Sequence, residues 1–141
     1  MRIAVIDGQG GGIGKHITAK IRDVLPREVG VLALGTNAVA TSLMLKAGAN
    51  EGATGENAVV QNVTKVDIIT GSISIIIPNS MLGELTPGMA NAIASSSAKK
   101  ILLPLNPGEV EIVGIKKEPL PHQIDDMVLL LKKMLEVELN V

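Results

Sequence analysis

The sequence predicts an α/β domain, a mostly parallel sheet covered by helices on both faces. Two observations predict it. Hydrophobic runs of strand length alternate with stretches of helical period. Glycine and polar residues gather where those runs end, the side on which an open parallel sheet receives its ligands. At 141 residues, 46% of them hydrophobic, the chain has the size of a single domain, 1–141, able to bury a core without metals or crosslinks.

Arg2 to Ile6 reads as the first strand. The helix after it carries Ile13, Ile17, Ile21 and Leu25 four apart, one apolar stripe that Pro26 ends. Val29 to Leu34 is the second strand, followed by a small-residue helix from Asn37 to Ala47 that Gly48 closes. A short third strand falls at Ala49 to Ala53. Thr54 is expected to cap a helix reaching Thr64, and Val66 to Gly71 supplies the fourth strand. Thr86 caps a helix from Pro87 to Ser95, with proline in its favoured first position. The segment between, Ser72 to Leu85, has no single period. Lys99 to Leu105 is the fifth strand, and Pro104 favours a place at the sheet edge. Asn106 to Gly108 is short enough to turn the chain into an antiparallel last strand, Glu109 to Ile115. The last helix, Pro121 to Glu138, has Ile124, Met127, Val128, Leu131 and Leu135 on one face and Leu129, Leu130, Met134 and Val137 elsewhere. A helix apolar on more than one side is either buried twice or shared with another subunit; in a domain this small the second is favoured, and a homodimer is expected.

Composition narrows the function. Without cysteine there is no disulfide framework, thiolate metal site or cysteine nucleophile, which suits a cytoplasmic protein. No apolar stretch nears the roughly 20 residues that span a bilayer, so no membrane partner is expected. Thirteen basic and 14 acidic residues give a net charge of −1 with no basic stripe, and there is no Phe, Trp or Tyr on which bases stack. Nucleic acid is therefore not expected as a partner. Chemistry that needs a tyrosine acid or base is excluded.

The first strand runs directly into Gly8, Gly10, Gly11, Gly12 and Gly14, with Gln9 and Ile13 between them. Backbone without Cβ atoms lets N–H groups converge on phosphate oxygens at the positive end of the following helix, and Lys15 adds a charge. A tight turn for close packing is the competing account, but two glycines serve it. The cofactor-binding candidates are Gly8, Gln9, Gly10, Gly11, Gly12, Ile13, Gly14 and Lys15, with Gly35, Thr36 and Asn37 after the second strand and Gly71 and Ser72 after the fourth. A site selective for NAD places Asp or Glu after the second strand. Here Thr36 and Asn37 stand there, suited to a ribose or a 2′-phosphate, which favours NADP over NAD; Asn37 is equally suited to cap a helix. The reading requires that the amides at the mouth of the first strand stay exposed beside a cleft.

Other groups weigh toward structure. Asp7 is placed to position the turn, or to repel a phosphate. His16 and His122 lack a second ligand at metal spacing, so no metal is expected. Asn79, Ser80 and Glu84 offer a donor, a hydroxyl and a carboxylate; Glu84 suits a general base or, more readily, a loop anchor. Glu51, Thr54 and Glu56 either rim the site or cap a helix.

Gly8, Gly12 and Gly14 fit the spacing G-x-x-x-G-x-G, and "GGGIGK" resembles the turn of short-chain dehydrogenases. The Tyr-x-x-x-Lys catalytic pair of that family has no counterpart. "GGIGK", Gly11 to Lys15, is similar to the deviant phosphate loop of partitioning ATPases, but His16 stands where Ser or Thr would hold magnesium. Over its whole length, with "VIDGQGGGIGK", "ALGTNAVATSLMLKAGANEGATGEN", "NSMLGELTPGMA" and "KKILLPLN" in this order, the chain resembles a family of small bacterial proteins catalogued only as a domain of unknown function. That resemblance implies a compact, Rossmann-like nucleotide-binding fold and assigns no reaction. The expected function is a nucleotide binder or sensor, dinucleotide foremost. The alternatives are a small cofactor-dependent enzyme with catalytic groups between Asn79 and Glu84, a nucleotide hydrolase of the phosphate-loop kind, and a structural module with an empty turn.

Overall fold

A computed structural model describes residues 1–105 and 109–139. Five parallel strands form one sheet in the order β3-β2-β1-β4-β5, where β1 is Arg2–Asp7, β2 Gly30–Gly35, β3 Glu51–Thr54, β4 Ile68–Ser72 and β5 Lys99–Leu103. The chain steps outward from β1 through β2 to β3, then crosses back past β1 to β4 and on to β5. Right-handed crossovers therefore put the helices of the two halves on opposite faces. On one face α1 (Gly12–Val24), α2 (Ala38–Lys46) and α5 (Leu120–Leu139) pack against Ile3, Val5, Val31 and Ile68. On the other, α3 (Glu56–Asn62) and α4 (Pro87–Ser95) cover Ala4, Ile6, Leu34 and Ile69. This is the expected three-layer Rossmann-like arrangement.

The helical period explains α1. Ile17 and Ile21 are fully buried, each contributing about 1.5–3 kcal/mol by leaving water. Asn37 caps α2, its Oδ1 accepting from the Ala40 amide at 2.9 Å, and Gly48 follows the helix with φ +122°. Thr86 caps α4 at the Met89 amide. Thr54 does not cap α3: it ends β3, its hydroxyl bonds to that of Thr41 at 2.8 Å, and Gly55 precedes the helix instead.

One strand expectation is corrected. Glu109 to Ile115 forms no antiparallel strand, and the last strand of the sheet, β5, is parallel to β4. The alternation of Glu109, Val110, Glu111 and Ile112 mimics a half-buried strand, but Pro104 follows β5 directly and lacks a ladder donor, and Gly114 turns the chain at φ +86°. The chain instead continues into α5, which covers β5. The turn expected at Asn106 to Gly108 lies outside the described residues.

Candidate functional site

β1 ends on Asp7, whose side chain is buried among the helices. Its Oδ1 accepts the Gly8 N–H at 2.8 Å and its Oδ2 the Gly14 N–H at 2.6 Å, so one carboxylate clamps both ends of the glycine turn. Burial pushes this carboxyl above its ordinary value; the Gly14 and Gly8 bonds oppose that push and the Glu84 charge adds to it. Between the clamped ends, the Gly11 N–H donates to the Gly8 carbonyl at 2.9 Å and the chain enters α1 with Gly11 at φ +75°. A Cβ on Gly11 would lie 2.8 Å from the Ala40 backbone, and one on Gly14 2.7 Å from the Met44 sulfur. Close packing of α1 on α2 thus requires these two glycines.

Gly10 and Gly12 are different. A Cβ on either meets nothing within 4 Å, and neither has a left-handed backbone. The amides of Gly10, just ahead of α1, and of Gly12 and Ile13, in its first turn, have no protein acceptor among the described residues. The turn is therefore divided between amides bound internally at Gly8, Gln9, Gly11 and Gly14 and three that are free.

The β2 side of the turn is closed by Glu84. Its Oε1 accepts from the Gln9 N–H, the Thr36 hydroxyl and the Asn37 side-chain amide, each at 2.8 Å. These bonds, the Gln9 amide foremost, hold the carboxyl below its ordinary value and keep it ionised. Asn37 also donates to the Gln9 carbonyl at 2.9 Å. The segment that carries Glu84 across the sheet is bent sharply: Asn79, Met81 and Leu82 all have left-handed backbone, at φ 64°, 56° and 55°. Outside glycine such angles persist only where the surroundings hold them.

On the other side, over β1 and β4, a cleft of about 690 Å³ opens. Gly8 to Ile13 form one wall. Ser72 and Ser74, whose hydroxyls bond to each other, lie at the end of β4, and Ile77, Pro78, Leu105 and Val110 supply aliphatic surface. Asp7 and Glu109 are the ionisable residues among the described lining, and no Lys, Arg or His is among them.

Of the residues expected from sequence, Gly8, Gln9, Gly10, Gly11, Gly12, Ile13 and Ser72 meet in this cleft. Gly14, Gly35 and Gly71 are buried outside its lining, and Lys15 is exposed beyond it. Thr36 and Asn37 turn to Glu84. Asn79 and Ser80 line the cleft, the Ser80 hydroxyl donating to the Ser74 carbonyl at 2.6 Å. Glu51 pairs with Arg2 at 3.0 Å and Glu56 accepts from the Thr86 hydroxyl at 2.5 Å, neither at the cleft. His16 and His122 are exposed, and no group of three potential metal ligands occurs among the described residues. The aliphatic wall of Ile77, Leu105 and Val110 had no motif to announce it.

A family model described as a domain of unknown function (DUF3842) matches residues 2–136. The chain belongs to that family. No curated protein and no solved structure shows significant similarity to it. Among the described residues of this DUF3842 domain, no helix is long and apolar enough to cross a membrane.

Proposed function

We propose that this domain binds a nucleotide, a dinucleotide of the NAD or NADP kind foremost, with its phosphates on the free amides of Gly10, Gly12 and Ile13. The observation that carries the reading is the pair Gly10 and Gly12. Neither packing nor backbone conformation calls for glycine there, yet both border the unpaired amides at the positive end of α1. A phosphate oxygen needs that open backbone and a side chain would obstruct it.

Charge selects the kind of phosphate. No cation joins the described lining, so the charge of a triphosphate finds no counter-charge there, and both Asp7 oxygens are committed to backbone amides. A diester pyrophosphate, with one charge per phosphorus, fits three amides and a helix dipole better. One nucleoside would lie over β4 and β5 against Ile77, Pro78, Leu105 and Val110. The other would have to pass Gln9 toward β2, outside the cleft lining, where the Glu84 oxygen not bonded to Gln9, Thr36 and Asn37 would accept ribose hydroxyls; its charge favours NAD over NADP, whose 2′-phosphate it would repel.

A binder or sensor is favoured over an enzyme because Asp7 is engaged with two amides, Glu84 with three donors and Ser80 with a carbonyl, which leaves Glu109 as the remaining ionisable group of the described lining. The same reading expects a cytoplasmic homodimer without a nucleic-acid partner. Thermal-shift titration with NAD, NADP, ATP and GTP, together with native mass spectrometry of the purified protein, tests it. NAD is expected to stabilise the wild type and not Gly12→Val. Indifference to every phosphate compound would overturn the proposal.

A further inference from the structure

We infer that the outer face of α5 is one half of a two-fold interface between two copies of this chain, the two helices antiparallel about a centre between Leu129 and Leu130. The inner face of α5, with Ile124, Val128, Leu131 and Leu135, is consumed by the core. On the opposite side Leu129 is 51% exposed, Leu130 46% and Val137 66%. Asp126 and Lys133 are exposed on the same side, since positions three, four and seven apart share a helix face. The apolar surface thus lies between an acidic and a basic residue, in a helix whose other side is already paid up.

Charge order identifies the occupant. Asp126 precedes the two leucines and Lys133 follows them, the two equally far from the centre. An antiparallel copy therefore sets Asp126 against the partner's Lys133 and Lys133 against the partner's Asp126, with Leu129 and Leu130 meeting the same leucines reversed. A parallel copy sets like charges together. Asp125 is bonded to Lys20 at 3.1 Å within its own chain, whereas Asp126 and Lys133 have no ion-pair partner among the described residues. Because a two-fold axis repeats each contact, one self-complementary pair supplies two ion pairs around the apolar centre. No residue of α5 is among the described lining of the cleft, so the test of this interface does not require nucleotide.

Sedimentation equilibrium on the full chain tests the inference. The wild type is expected to be a dimer at micromolar concentration. Asp126→Lys alone and Lys133→Asp alone are each expected to weaken it about tenfold or more, two ion pairs becoming like-charge contacts. The double variant Asp126→Lys with Lys133→Asp restores the pairing in mirror order and with it the dimer. Both substituted positions are on the surface, and far-ultraviolet circular dichroism checks that each variant is folded. A monomeric wild type, which would leave the face to another protein, overturns the inference. So does a dimer that single reversals leave intact or that the double variant fails to restore.

Discussion

The side-chain amide of Asn37 donates to the Glu84 carboxylate at 2.8 Å, tying the end of β2 to the loop after β4 across 47 residues of chain. With the Gln9 amide and the Thr36 hydroxyl on the same oxygen, this carboxylate fixes three segments at once. Glu84→Ala leaves those donors without their acceptor and is expected to destabilise the fold by about 1–3 kcal/mol, read from urea unfolding. A loss below a few tenths would show that the three bonds are not maintained in solution.

Asp7 and Glu84 act in opposite directions as pH falls. Glu84 has a depressed carboxyl, so its contribution is present above the ordinary glutamate value of 4.5 and is lost as pH drops through the lower folded value. Asp7 has a raised carboxyl, so its contribution is full below 3.8 and declines as pH rises through the higher folded value. Acidification therefore relieves the burial cost of the Asp7 charge while it weakens the bonds that Glu84 accepts. Unfolding free energy followed from neutral to acid pH should fall less steeply in Glu84→Gln than in the wild type. Parallel curves would remove Glu84 from this account.

The glycines of the turn should separate into two classes. Gly14→Ala drives a Cβ to 2.7 Å from the Met44 sulfur and 2.8 Å from the Asp7 Cβ, an overpacking expected to cost about 1–3 kcal/mol. Gly12→Ala meets open space in the first helical turn and should leave stability unchanged or raise it by up to about 1 kcal/mol. Thermal melts of the two variants check this. Combined with a loss of nucleotide-induced stabilisation in Gly12→Ala, they distinguish a glycine kept for a ligand from one kept for packing.

Leu82 is 97% exposed and held at φ 55°. Replacing it with glycine removes no buried surface and relieves a left-handed backbone worth about 1 kcal/mol. Leu82→Gly is expected to raise the unfolding midpoint, and a fall would mean that the bend is held by contacts of the leucine itself.

Much of the architecture was legible because it rests on local periods. Isoleucines four apart announced α1, and short apolar runs separated by helices announced parallel strands. Thr86 before Pro87 announced the start of α4. The failures share another cause. The alternation over Glu109 to Ile115 carried no information on whether an edge would accept a strand beside Pro104, and Thr54 found a hydroxyl on another helix instead of a cap. At the site, the glycine turn was evident, but its division into clamped and free amides depends on Asp7 and Glu84 reaching it from both sides. Thr36 and Asn37, read as ligand contacts, are engaged by a carboxylate 48 and 47 positions away. Only the path of the loop after β4 decides that.

The absence of Phe, Tyr and Trp also makes the molecule its own blank. Aliphatic walls and a chain with no Phe, Tyr or Trp leave nothing to absorb in the near ultraviolet. Any band there in the purified protein would belong to a guest. A base seated between Ile77, Pro78 and Leu105 would report its arrival, orientation and departure in absorbance and induced dichroism, without a label and against a dark background.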